Sequence, residues 1–141
     1  QRKYHGISTQ IIAQIKNVRV PFNVDIGVGD IIVPRAEERT INTQLPDFEA
    51  PVIKTYSLES TIAEKFDAIL QRFELTGRMK DFYDIYYLSR TFNFEGAKLQ
   101  AAIFETLQRR GTPYDRDSFK RVVALGDDED MQKRWKFFLK P

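Results

Sequence analysis

The stretch RMKDFYDIYYL (78–88) sets Arg78, Lys80, Asp81 and Asp84 among Met79 and the rings of Phe82, Tyr83, Tyr86 and Tyr87, within about three helical turns. Lys80 and Asp84 are i,i+4 neighbours on a helix, and Asp81 and Asp84 are i,i+3 neighbours. If exposed, such a pair contributes only a few tenths of a kcal/mol, roughly 0.3. If the aromatics partly bury these groups, leaving any of them unpaired is costly, so they must be networked or functional. Spacing alone leaves both readings open.

Two further positions carry the residue types that phosphate chemistry uses. In SLESTIAEKFDAILQRF (57–73), Lys65 and Arg72 are seven residues apart and would share one side of a helix, flanked by Glu64 and Asp67. Two cations so placed could hold a polyphosphate, the lysine as a point charge and the arginine as a fork. The same spacing also describes a solvated amphipathic face. In VRVPFNVDI (18–26), Asp25 falls on the polar side of an alternating strand, with Arg19 and Asn23. A strand-held carboxylate suits Mg²⁺, which takes oxygen donors, yet one carboxylate is also an ordinary outward-facing acid.

Other chemistries are narrowed by what is missing. His5 is the sole histidine, which rules out a multi-histidine zinc site and argues against a histidine-based triad. GVG (27–29) is too short for a dinucleotide fingerprint, and no P-loop occurs. KRWKFF (133–138) mixes bases with aromatics as a nucleic-acid contact does, although its spacing favours an amphipathic helix burying Trp135, Phe138 and Leu139.

The elements that must hold these residues fit one ordinary domain of 141 residues, with enough apolar content for a core. There is no cysteine, consistent with a reducing cytoplasm, and no apolar run approaches a membrane span. The net charge of +2 is too mild to imply nucleic acid by itself. No signal peptide is recognisable, and the opening at Gln1 rather than Met reads as a fragment or processed product. Residues 4–33 read as β: the odd-numbered stripe Ile7, Ile11, Ala13 and Ile15, a turn at Lys16–Asn17, and the stripe Val18, Val20, Phe22, Val24 and Ile26. GVGD (27–30) would turn into a short third strand, IIVP (31–34). Pro21 marks an edge or an interruption. Residues 35–56, with Pro46 and Pro51, read as a surface-crossing connection. Helices are expected over 57–73, with Ser57 as N-cap or with Thr61 and Glu64 as a later capping box, then over 78–92, 95–110, 115–126 and 128–140. Strands first and helices after give an α+β class. The expected division is residues 1–50, the end of a catalytic sheet, and 51–141, a helical domain.

Together these segments resemble a known family. IAEKFDAILQR followed by GRMKDFYDIYYL is similar to the hallmark of the AbiEii/AbiGii toxin nucleotidyltransferases, in which an E-K-x-x-A-like helix precedes R-x-K-D-x-x-D-x-x-x-L. Glu64, Lys65 and Ala68 match the first part; Arg78, Lys80, Asp81, Asp84 and Leu88 match the second. FNVDIGVGDIIVP looks like the family's D-I-G-x-G-D segment, and AIFETLQRRGT (102–112) resembles a following helix. The resemblance covers roughly residues 4–112. It implies a polymerase-β-like enzyme that transfers a nucleoside monophosphate from an NTP with Mg²⁺, to an RNA acceptor such as a tRNA end, as the toxin of a toxin–antitoxin or phage-defence system. It further implies Asp25 as a third metal carboxylate, Lys65, Arg72 and Arg78 as nucleotide-binding cations, and Lys80, Asp81 and Asp84 as the network of the second signature. A cognate antitoxin would be a partner. The family's G-S-x-x-x-D-x-D is absent from these residues, and GDDED (126–130) stands at a helix start. The two principal metal carboxylates are therefore expected upstream of Gln1, and the chain alone is expected to be inactive. The alternative implied is a degenerate, non-catalytic relative acting as a binding or regulatory module.

Overall fold

The computed structural model describes residues 6–29 and 31–140. Tyr4, His5 and Asp30 lie outside the described residues. The chain divides into two units, Gln1–Asp30 and Ile31–Pro141, and the class is α+β.

The first unit is a hairpin of β1 (Gly6–Ile15) and β2 (Val18–Gly27). Its register pairs Ile7 with Ile26, Ile11 with Phe22, Ala13 with Val20 and Ile15 with Val18. The odd residues of β1 and the even residues of β2 therefore form one apolar face, as the alternation requires. The opposite face pairs Ser8 with Asp25, Gln10 with Asn23 and Gln14 with Arg19. Lys16 opens the two-residue turn at φ 52, and the Gln14 amide donates to its carbonyl at 3.0 Å. Pro21 lies within β2, and in a two-stranded ribbon both strands are edges, where proline is tolerated.

In the second unit the expected third strand does not form. Residues 31–36 contain no strand, because Val33 commits both backbone groups to the start of α1 (Leu58–Leu70). Its N–H donates to Ser60 Oγ at 2.7 Å, and its carbonyl accepts from Ser57 Oγ at 2.5 Å and Ser60 Oγ at 3.2 Å. Residues 35–56 are more than a connection, for they hold a second antiparallel hairpin, β3 (Glu37–Thr40) with β4 (Val52–Thr55). Pro46 and Pro51 lie outside both strands, so neither opposes the pairing, and the mostly exposed strands need no apolar alternation.

Ser57 caps α1 by accepting from Ser60 N at 3.1 Å, so the later capping box is not used. Thr61 instead donates its hydroxyl to Ser57 O. A 3₁₀ turn (Phe73–Leu75) separates α1 from α2 (Met79–Thr91). α3 (Gly96–Arg110) stops at Gly111, whose φ of 60 is the left-handed closure glycine makes without strain. α4 (Arg116–Ala124) starts with a capping box at Asp115, and α5 (Glu129–Phe138) with Asp128. Ile69, Met79, Leu125 and Met131 form the core, with Phe82, Ile85, Val122 and Trp135 packed on it. Ala63 on α1 and Ala102 and Leu107 on α3 are also fully buried.

Tyr83, Tyr86 and Tyr87 are exposed, since α2 turns Met79, Asp81, Phe82, Asp84 and Ile85 toward its neighbours. The burial expected on α5 is met only in part. On α5, Trp135 is partly buried, whereas Phe138 and Leu139 are exposed.

Ser57 serves α1 and Val33 at once. Ser57→Ala is expected to lower stability by about 1–3 kcal/mol, seen as a lower urea midpoint with an unchanged m-value.

Candidate functional site

The second signature folds into a charge network between α1 and α2. Asp81 and Asp84, one turn apart on α2, face α1 and share Lys65: its Nζ lies 3.4 Å from Asp81 Oδ1 and 2.6 Å from Asp84 Oδ2. Arg78 Nε closes on Asp81 Oδ2 at 2.6 Å, and Lys80 Nζ on Asp84 Oδ2 at 2.6 Å. The Asp81 side chain is only 4% exposed and that of Lys65 is half-buried, whereas Lys80 is 73% exposed and Arg78 53%. The network thus has a desolvated inner pair and two cations at its rim. Burial works to raise the Asp84 pKa, but the hydrogen bonds and charges of Lys65 and Lys80 outweigh it and hold the carboxyl below 3.8. Three cations against two carboxylates leave one positive charge in excess, which suits an anion such as a phosphate.

The acids flanking Lys65 in sequence face the other way. Glu64 pairs with Arg110 at the end of α3. Asp67 is fully buried, accepting from Thr112 Oγ1 at 2.5 Å and from Gln71 Nε2 at 2.8 Å, with Arg110 Nε 3.5 Å away. Gln71 also donates to Thr112 Oγ1 at 3.1 Å. Burial pushes the Asp67 carboxyl above 3.8, against the lowering effect of the Thr112 and Gln71 hydrogen bonds. Sequence reasoning did not find Gln71, Arg110 and Thr112. The available signal was Asp67 itself, a carboxylate in register with Ala63 and Leu70 on a helix stripe that must be buried.

The structure therefore brings Lys65, Arg78, Lys80, Asp81 and Asp84 together. Arg72 is exposed and lies past the C-cap of α1, in the turn before the 3₁₀ segment, so the helical phase expected to align it with Lys65 stops short of it. Asp25 belongs to the hairpin unit, exposed on its polar face opposite Ser8. Among the described residues, no three His, Asp or Glu side chains converge as a metal site. Asp81 and Asp84 are engaged by cations, and Asp25 is a single carboxylate, so these residues do not make up a two-metal centre.

Fold and network define an α+β protein whose helical part presents an ion-paired lysine between two helix-borne acids. The chain belongs to the family described as nucleotidyl transferase AbiEii toxin, type IV toxin–antitoxin system, which it matches over residues 1–141. No curated protein and no solved structure matches it. No helix among the described residues is long and apolar enough to cross a membrane.

Asp67 and Asp84 titrate with opposite consequences. Folding favours protonated Asp67, so its contribution is complete below 3.8 and is lost as pH rises through its raised folded value. Folding favours ionised Asp84, so its contribution is present above 3.8 and is lost as pH falls through its lowered folded value. In an acid-range series of urea denaturations, the stability of wild type relative to Asp67→Asn should fall with rising pH, and relative to Asp84→Asn it should rise.

Proposed function

We propose that this chain is the Lys65-bearing part of a nucleotidyltransferase that transfers a nucleoside monophosphate from an NTP to RNA, as the cytoplasmic toxin of a toxin–antitoxin pair. A type IV toxin–antitoxin family supports a cognate antitoxin as partner. The observation that carries the reading is Lys65 held by Asp81 and Asp84, with Arg78 and Lys80 at the rim. Such a lysine is oriented before substrate arrives, so binding does not have to order a long flexible side chain. An incoming triphosphate competes with the carboxylates for Lys65, while the guanidinium of Arg78 and the ammonium of Lys80 swing onto the same phosphates. The oxygen of the acceptor hydroxyl then bonds the α-phosphorus as its proton passes to water, the bond from the α-phosphorus to the bridging oxygen breaks, and pyrophosphate leaves with the charge these cations balance.

Mg²⁺ in the complete enzyme would need carboxylates beyond those of the Lys65 network, and Asp25, on the polar face of the hairpin, is a single candidate donor. The absence of G-S-x-x-x-D-x-D from the 141 residues favours a second reading, a non-catalytic relative that keeps the cation network as a binding module.

The test is incubation of the complete enzyme, purified, with each α-³²P-labelled NTP and total RNA. Label is expected on RNA, falling on the order of 100-fold or more in Lys65→Ala, Lys80→Ala and Asp84→Ala. Unchanged labelling in the last two would remove the second signature from the mechanism, and no labelling at all would favour the binding module.

A further inference from the structure

The helical unit carries a row of aromatic rings that its core does not use. Tyr83 and Tyr87 on α2 stack with centroids 6.4 Å apart and planes 12° from parallel. Tyr83 meets Phe138 of α5 at 6.0 Å, and Phe138 meets Trp135 at 5.7 Å. The row is continuous across two helices, yet Tyr87 is 51% and Phe138 39% exposed, and Phe137, next to Phe138 in sequence, is 77% exposed. A contiguous exposed aromatic surface marks an interaction site more often than a scattered ring does.

The bases decide what kind of partner it fits. Steps of three, four and three place Lys80, Tyr83, Tyr87 and Arg90 along one stripe of α2, with a cation at each end of the stacked pair. A step of four places Lys133 and Phe137 along one stripe of α5. The acids of α5, Glu129 and Asp130, are confined to its first turn, so the ring-bearing part holds only bases, Lys133, Arg134 and Lys136, with Lys140 just beyond it. A second copy of this face would set like charges against each other. Flat rings spaced between cations instead match a strand of unpaired bases on a phosphate backbone, where bases stack and phosphates pair. At its α2 end the row runs into Lys80, a member of the Lys65 network.

We propose that this α2–α5 face binds single-stranded RNA and leads it to the Lys65 network. The surface stands on its own geometry; its service as the acceptor track rests on the transferase reading. Bases stack on Tyr87, Tyr83 and the phenylalanines, and Lys136 and its neighbours hold phosphates.

The experiment is fluorescence anisotropy of a fluorescein-labelled, unstructured RNA titrated with the purified chain in the absence of any NTP. Tyr87→Ala and Phe137→Ala are each expected to weaken binding about tenfold, Tyr87→Phe to bind as wild type, and Lys136→Gln to flatten the salt dependence. Both aromatic positions are exposed, and an unchanged urea midpoint in each variant shows that folding is not what is lost. Equal binding by both alanine variants, tighter binding of duplex than of single strand, or no binding overturns the proposal. So does a dimer in sedimentation that these substitutions dissociate. RNA binding by the chain without label transfer by the complete enzyme upholds the surface and refutes the transferase reading, whereas transfer by the complete enzyme that is unaffected by Tyr87→Ala and Phe137→Ala refutes the surface alone.

Discussion

Lys65 sits where two helices would otherwise have no reason to agree. Its ammonium reaches Asp81 and Asp84 on α2, while the next turn of the same face of α1 is occupied by core residues. A half-buried cation needs a compensating charge, and a carboxylate as buried as Asp81 needs one more. Each therefore fixes the other, and with them the rotation of α2 about its own axis. That rotation decides which side chains α2 sends inward, Met79 and Phe82, and which it leaves on the surface, Tyr83 and Tyr87. A single ion-paired lysine thus sets both the phosphate-facing chemistry and the aromatic face beside it.

The same logic runs on the opposite flank of α1. Glu64 and Asp67 turn to α3, where Arg110 and Thr112 meet them, so α1 is held by polar contacts on two sides and by apolar packing between. Buried ion pairs of this kind are weak evidence of stability, because desolvation offsets much of the attraction. Their effect is on geometry. A slip of α1 by one residue would strand Asp67 among apolar side chains and separate Lys65 from both its acids.

Much of this was legible in the sequence, for physical reasons. Period-two alternation gave the faces of β1 and β2, and the turn at Lys16–Asn17 fixes the register that sets Ile7, Ile11 and Ile15 on the same face as Phe22 and Ile26. Helical period and caps placed α1 through α5 within a few residues. The cluster at Lys80, Asp81 and Asp84 was visible as charges too close to aromatics, but spacing could not say that Lys65 would join it, because that contact depends on how two helices meet. Tertiary contacts also decided the failures. Val33 spends its backbone on two serines instead of a ladder, β3 and β4 pair without apolar alternation, and α2 leaves Tyr83, Tyr86 and Tyr87 on the surface. Arg72 was misaligned because α1 ends before reaching it.

The two polar flanks of α1 differ in the length of chain they enclose. Lys65 and Asp81 are 16 residues apart, whereas Glu64 and Arg110 are 46 apart. Closing the longer loop costs about 0.9 kcal/mol more in chain entropy, from the logarithmic dependence on loop length. The α1–α2 flank therefore has the shorter search, and it can form while α3 is still unplaced. The lysine network is in this sense the local knot of the helical unit, and the α3 clip is the fastening drawn over it afterwards.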